Sequence, residues 1–172
     1  VEESLTRLDR DYVDLIQLHT HIAAERDTER NSLSAEDLLG EVVDAFRSLK
    51  EQGKIRNYGI TGLGHTEALH RVIDSGELDT GQVCYNLINP SAGCDIKGHW
   101  HSEDYTGLLN ACQQSDVGVL GIRVYAAGIL ASRLRQGREI PVTRNSDYDS
   151  ELKRADMVRE VLAEMDGSDA QK

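Results

Sequence analysis

Four short apolar runs, separated by segments with helical periodicity, limit what this chain can fold into more than any other feature. The runs are Tyr12–Leu18, Lys54–Thr61, Gln82–Leu87 and Val117–Val124. The first of these, YVDLIQL, is β-branched and apolar enough for a buried strand. After the first run, the polar segment AAERDTERNS is expected to be an exposed loop. Ser34, with Asp37 three residues on, then forms a capping-box pattern. Leu38, Leu39, Val42, Val43, Phe46 and Leu49 follow at helical spacing, and Gly53 closes the helix. Thr66 is expected to cap a short helix carrying Leu69, Val72 and Ile73, stopped by Gly76. Ser102 is expected to cap another, with Tyr105, Leu108, Leu109 and Cys112 on one stripe. After a loop from Pro141 to Asn145, Ser146 with Asp149 makes a second capping box. It opens a long helix burying Tyr148, Leu152, Ala155, Val158, Leu162 and Met165.

Strand and helix in alternation imply an α/β fold with a parallel sheet. Four such units make either an open sheet or half of an eight-stranded barrel, and periodicity does not choose between them. No repeat, low-complexity tract or linker divides the sequence, so residues 1–172 are expected to form a single domain. In either architecture the loops after the strands are where function is expected.

Charge removes several classes of partner. The chain has 19 Lys and Arg against 30 Asp and Glu, a net charge of -11. That excess repels phosphate backbones and anionic membrane surfaces, so neither nucleic acid nor membrane is expected as a partner. No apolar run is long enough to span a bilayer, and the acidic start VEESLTRLDR lacks the apolar core of a secretory signal. Cys84, Cys94 and Cys112 are an odd number with no CxxC pair, which fits a reducing cytoplasm. Residue 1 is Val rather than Met, the first hint of a missing upstream piece.

His19 directly follows the first apolar run, at the carboxyl end of a strand, where an imidazole can donate a hydrogen bond or move a proton. Three histidine pairs, His19 with His21, His65 with His70 and His99 with His101, raise a metal-dependent barrel hydrolase as an alternative. None has a carboxylate at matching spacing, so no metal ligand is assigned. The stretch GITGLG, Gly59 to Gly64, is either a ligand-cradling loop or a turn that needs a glycine conformation. It is not a dinucleotide fingerprint, because its glycines stand at 59, 62 and 64. Gln82, Cys84 and Asn86 fall on one strand face, a polar set that points to a site or to a buried hydrogen-bond network. Arg123, read as lying inside an apolar strand, needs an anionic ligand or a carboxylate.

Three stretches resemble the aldo-keto reductases in order and spacing. VEESLTRLDRDYVDLIQLH is similar to the family's helix-then-strand segment ending in its catalytic His. EVVDAFRSLKEQGKIRNYGIT is similar to the next helix and strand, and GQVCYNLINP with VGVLGIRVYAAGIL to two later strands. The resemblance implies a partial (β/α)8 TIM barrel, about strands four to seven, hence an incomplete one. It implies hydride transfer between NADP or NAD in its reduced form and a small aldehyde or ketone. On that resemblance His19 is the family's His. Thr61 takes the place of the Ser in its strand-end Ser-Asn pair, with Gly62 where the Asn stands. Gln82 matches the Gln that contacts the nicotinamide carboxamide. Arg123 falls near the end of the strand that carries the stacking aromatic in many members. The family's Asp, Tyr and Lys lie on earlier strands that these residues do not match. The isolated chain is therefore expected to be inactive and to self-associate through exposed sheet edges. A non-catalytic barrel subunit is the remaining alternative.

Overall fold

The computed structural model describes residues 1–95, 102–132 and 147–167. Helix α1 (Glu2–Leu8) leads into strand β1 (Val13–Leu18). Two-residue strands β2 (His21–Ile22) and β3 (Ser32–Leu33) pair with each other and bracket the polar loop. Helix α2 (Ala35–Asp37) runs through a π turn, Leu38–Val42, into α3 (Val43–Glu51). There follow β4 (Ile55–Gly62), α4 (Thr66–Asp74), β5 (Thr80–Cys84), α5 (Leu108–Gln114), β6 (Gly118–Ile122) and α6 (Tyr148–Val161). The main sheet has the order β1-β4-β5-β6, and the registered pairs β1–β4 and β4–β5 are parallel. The α/β class with a parallel sheet is thus observed. No helix among the described residues is long and apolar enough to cross a membrane.

The chain divides into two compact units. The first joins Val1–Val83 to Leu108–Leu120, and the second joins Cys84–Gly107 to Gly121–Lys172. In the first, the helices cover one face of the sheet. Tyr58 of β4 stacks on Phe46 of α3 with ring centroids 5.1 Å apart. Leu38, Val43, Ile60, Leu69, Val72 and Leu108 are fully buried. The second unit has its own apolar cluster of Ile88, Ala126, Ile129, Leu130 and Ala155, with Tyr148, Leu152 and Val158 packed against it.

The Ser34 capping box forms as expected: Asp37 N–H donates to Ser34 Oγ at 3.1 Å, and Ser34 N–H to Asp37 Oδ2 at 3.0 Å. The helix it opens is not regular. Leu38 and Val43 are both fully buried although five residues apart. The wider π turn brings such a pair to one side, and it leaves Leu39 and Val42 half-buried.

Several boundaries differ from expectation. Thr66 is the first residue of α4, and the cap position belongs to His65, whose side chain makes no capping bond. Helix α5 begins at Leu108 rather than after Ser102, because Tyr105 is held outside it, its N–H donating to Ser91 Oγ at 3.0 Å. Strand β5 ends at Cys84, since Asn86 and Asn89 bond to each other and turn the backbone. Helix α6 is capped by Asp147, which accepts from Ser150 N–H at 2.9 Å, one residue after the expected box. Ser146 and the loop Pro141 to Asn145 lie outside the described residues. Met165 follows the end of α6 and is 51% exposed, not buried.

The thiols divide by burial. Cys84 and Cys112 are buried and Cys94 is exposed, all unbridged. Burial pushes the Cys84 thiol up to about 11, and burial also raises Cys112. Iodoacetamide at pH 8 is expected to label one thiol per folded chain, Cys94, and all three after unfolding. Labelling of Cys84 at the rate of Cys94 would contradict this burial. The sign for stability follows. An unfolded thiol ionises near 9 while folded Cys84 stays protonated to about 11, so stability falls as pH rises across that window.

Candidate functional site

The register builds one row of polar side chains at the carboxyl rim of the first unit's sheet. Strands present alternate residues to opposite faces. Tyr58 and Ile60 of β4 face the helices, so Gly59 and Thr61 face the other way. On β5, a Cβ at Gly81 would touch Cys112 of α5 and Val117, which puts Thr80 and Gln82 on the face opposite the helices. On β1, Leu18 pairs with Ile60, and Thr61 of β4 pairs with Gln82. Thr61 and Gln82 therefore share one row and one face, and His19 is the residue that follows the last one of β1. His19 is exposed, Gln82 half-buried and Thr61 only 3% exposed.

Thr61 and Gln82 are joined directly. Thr61 Oγ1–H donates to Gln82 Oε1 at 3.0 Å. That bond leaves Thr61 Oγ1 free to accept and Gln82 Nε2 free to donate. The pair offers one donor beside one acceptor, the complement of a primary carboxamide. Directly beneath lies a second pair that sequence reasoning missed. Gln17 Nε2 donates to Thr80 Oγ1 at 2.5 Å. The available signal was the period of two shared by Gln17 and His19 at the carboxyl end of the first strand.

The glycines of GITGLG serve close approach rather than a loop. Gly59 and Gly62 are strand residues of β4. A Cβ at Gly59 would lie 2.1 Å from the Thr80 carbonyl oxygen, and one at Gly62 2.7 Å from that of Gln82. Gly62 stands where the family resemblance puts an Asn, and the neighbouring strand leaves no room for that side chain on this backbone. Gly64 has φ +145° and abuts Ile22.

Arg123 requires a correction. It follows β6 rather than lying inside it, and its φ of 59° is a left-handed conformation in which a strand cannot continue. It belongs to the second unit. There its carbonyl accepts from Asn86 Nδ2 at 3.0 Å, while Asn86 Oδ1 accepts from the N–H groups of Ile88 and Asn89. Asn86 is thus absorbed in a buried backbone network. Nearby in sequence, Tyr105 is fully buried with its hydroxyl donating to Glu103, and burial raises its phenol well above the ordinary value. Among the described residues no group of three or more His, Cys, Asp or Glu is placed to hold a metal ion. His99 and His101 lie outside the described residues.

Solved structures share this fold. The chain matches aldo-keto reductase AKR11C1 from Bacillus halodurans with a TM-score of 0.65 and 23% identity, covering 98% of this chain and 48% of that one. In sequence it is 32% identical over 137 residues to L-galactose dehydrogenase of Arabidopsis thaliana, covering 77% of this chain and 36% of that protein. It is 31% identical over 138 residues to methylglyoxal reductase YeaE of Escherichia coli, covering 79% of this chain and 39% of that protein. The chain thus spans between about a third and a half of the length of these relatives. The fold is that part of an α/β barrel. The model of the Aldo/keto reductase family matches residues 1–171, nearly the whole sequence, and the chain belongs to that family of oxidoreductases.

Proposed function

We propose that His19, Thr61 and Gln82 serve carbonyl reduction. A bound NADPH or NADH supplies the hydride, and a small aldehyde or ketone accepts it. The observation that carries the reading is the donor–acceptor pair of Thr61 and Gln82, with His19 directly after the end of β1. Gln82 Nε2 donates to the carbonyl oxygen of the nicotinamide carboxamide, and Thr61 Oγ1 accepts from its amide N–H. His19 donates a hydrogen bond to the substrate carbonyl oxygen, which orients it and stabilises the negative charge that grows there. Arg123, in the second unit, is proposed separately as a contact for an anionic ligand, its cationic head being suited to phosphate. The proton-donating Tyr, with its Lys and Asp, is not assigned to any residue of this chain.

These 172 residues expressed alone are accordingly proposed to be inactive, and to pair with a second copy. Strand β6 exposes Val119 at 44% and Leu120 at 40%, and such edges recruit further strands. Two measurements on that polypeptide test the proposal. NADPH oxidation with a panel of aldehydes and ketones is expected to stay at background. Turnover that disappears in His19→Ala would overturn the inactivity. Sedimentation is expected to give species larger than the 19.1 kDa chain, and a monodisperse monomer would overturn the pairing.

A further inference from the structure

The hydrogen bond from Gln17 to Thr80 joins two strands that are not neighbours. Strand β4 lies between β1 and β5. Gln17 pairs with Gly59, and Gly59 with Thr80, so the three form one row. The link crosses β4 where it has no side chain. A Cβ at Gly59 would sit 2.3 Å from Thr80 Oγ1, in the path of the bond. Each member stands two residues before a member of the proposed site: Gln17 before His19, Gly59 before Thr61, Thr80 before Gln82. Residues two apart on a strand share a face. The row of the strut therefore lies one layer beneath Thr61 and Gln82 on β4 and β5, and on β1 it stands one residue before the strand's end, after which His19 follows.

We propose that Gln17 and Thr80 are positioning residues, a side-chain strut that sets the spacing between His19 and the Thr61–Gln82 pair. Main-chain pairing fixes β1 to β4 and β4 to β5 but leaves the angle between successive strands adjustable. A bond spanning both gaps removes that freedom one layer beneath the site. The two side chains bond to each other, so their effect on the proposed chemistry runs through His19 and Gln82. This inference rests on the reading of His19, Thr61 and Gln82 as a nicotinamide and carbonyl site.

Thr80→Val removes the hydroxyl and keeps the shape, and Thr80→Ser restores the hydroxyl. Two readouts keep the strut apart from the function reading. In a spectrum of side-chain amides, the Gln17 Nε2 protons are expected to exchange slowly, to lose that protection in Thr80→Val and to regain it in Thr80→Ser. The Gln82 amide signals are expected to move and return with them. Titration with NADP+ is expected to show affinity about tenfold weaker in Thr80→Val and restored in Thr80→Ser, the loss of about one hydrogen bond's worth of positioning. Gln17 amide protection unchanged by Thr80→Val, or Gln82 signals indifferent to it, would overturn the strut. If the unaltered protein binds no NADP+, the function reading fails, and the amide signals still decide the strut.

Discussion

Gly64→Ala is expected to destabilise the protein by at least about 3 kcal/mol, more than a methyl added at any glycine of the sheet. Two costs combine. The φ of +145° lies in a region that L side chains avoid, and the added Cβ would stand 1.9 Å from the Ile22 carbonyl oxygen. That oxygen is not free to move away. It accepts from His65 N–H at 2.7 Å, while Ile22 N–H donates to Leu63 at 2.9 Å, and the Ile22 side chain is fully buried. Backbone therefore meets backbone on both sides of the clasp. Gly59→Ala is expected to rank next, because its Cβ also meets main chain, at Thr80. Gly40→Ala is the control: it lies in a helical segment with nothing within 4 Å, so it is expected to cost nothing or to stabilise. Thermal melts of the three variants check the order. A melting temperature of Gly64→Ala within a degree or two of the unaltered protein would refute the clasp.

The second large effect concerns chemistry. In the native protein, His19→Ala is expected to lower kcat for carbonyl reduction by at least about 100-fold, as expected when a donor aimed at a developing oxyanion is removed. Gln82→Leu is expected to act differently, raising the KM for the nucleotide about tenfold with a smaller change in kcat. Thr61→Val combined with Gln82→Leu should cost less than the two single changes multiplied, because each side chain orients the other. Equal kcat for His19→Ala and the unaltered protein would remove His19 from the mechanism.

The sequence made the sheet legible where apolar runs and turn chemistry agreed. Strand β1 ends at Leu18 as the pattern implied, and β4 runs one residue past Thr61. Ser34 and Asp37 announced their helix because a capping box is a local device, complete within four residues. Non-local competition erased other signals. Ser102 carried a helix-start letter, but the polar groups of Glu103 and Ser91 fix Tyr105 in place before the helix begins. Arg123 read as strand because its neighbours are apolar, whereas Asn86, 37 residues away, anchors its carbonyl and the backbone turns there.

The candidate site was legible residue by residue but not as an arrangement. His19, Thr61 and Gln82 stood out by type and position, yet only the register shows Thr61 and Gln82 side by side. Gly59 was visible as a glycine, without the reason for it, since the atoms that exclude a side chain there belong to Thr80 on another strand.

A crystal structure of the native protein with NADP+ bound tests the central claim most directly. The nicotinamide carboxamide is expected within about 3 Å of both Gln82 Nε2 and Thr61 Oγ1, with the His19 ring on the same side of the sheet. A nicotinamide bound elsewhere, or a His19 ring packed into the helical layer beside Phe46, would contradict it.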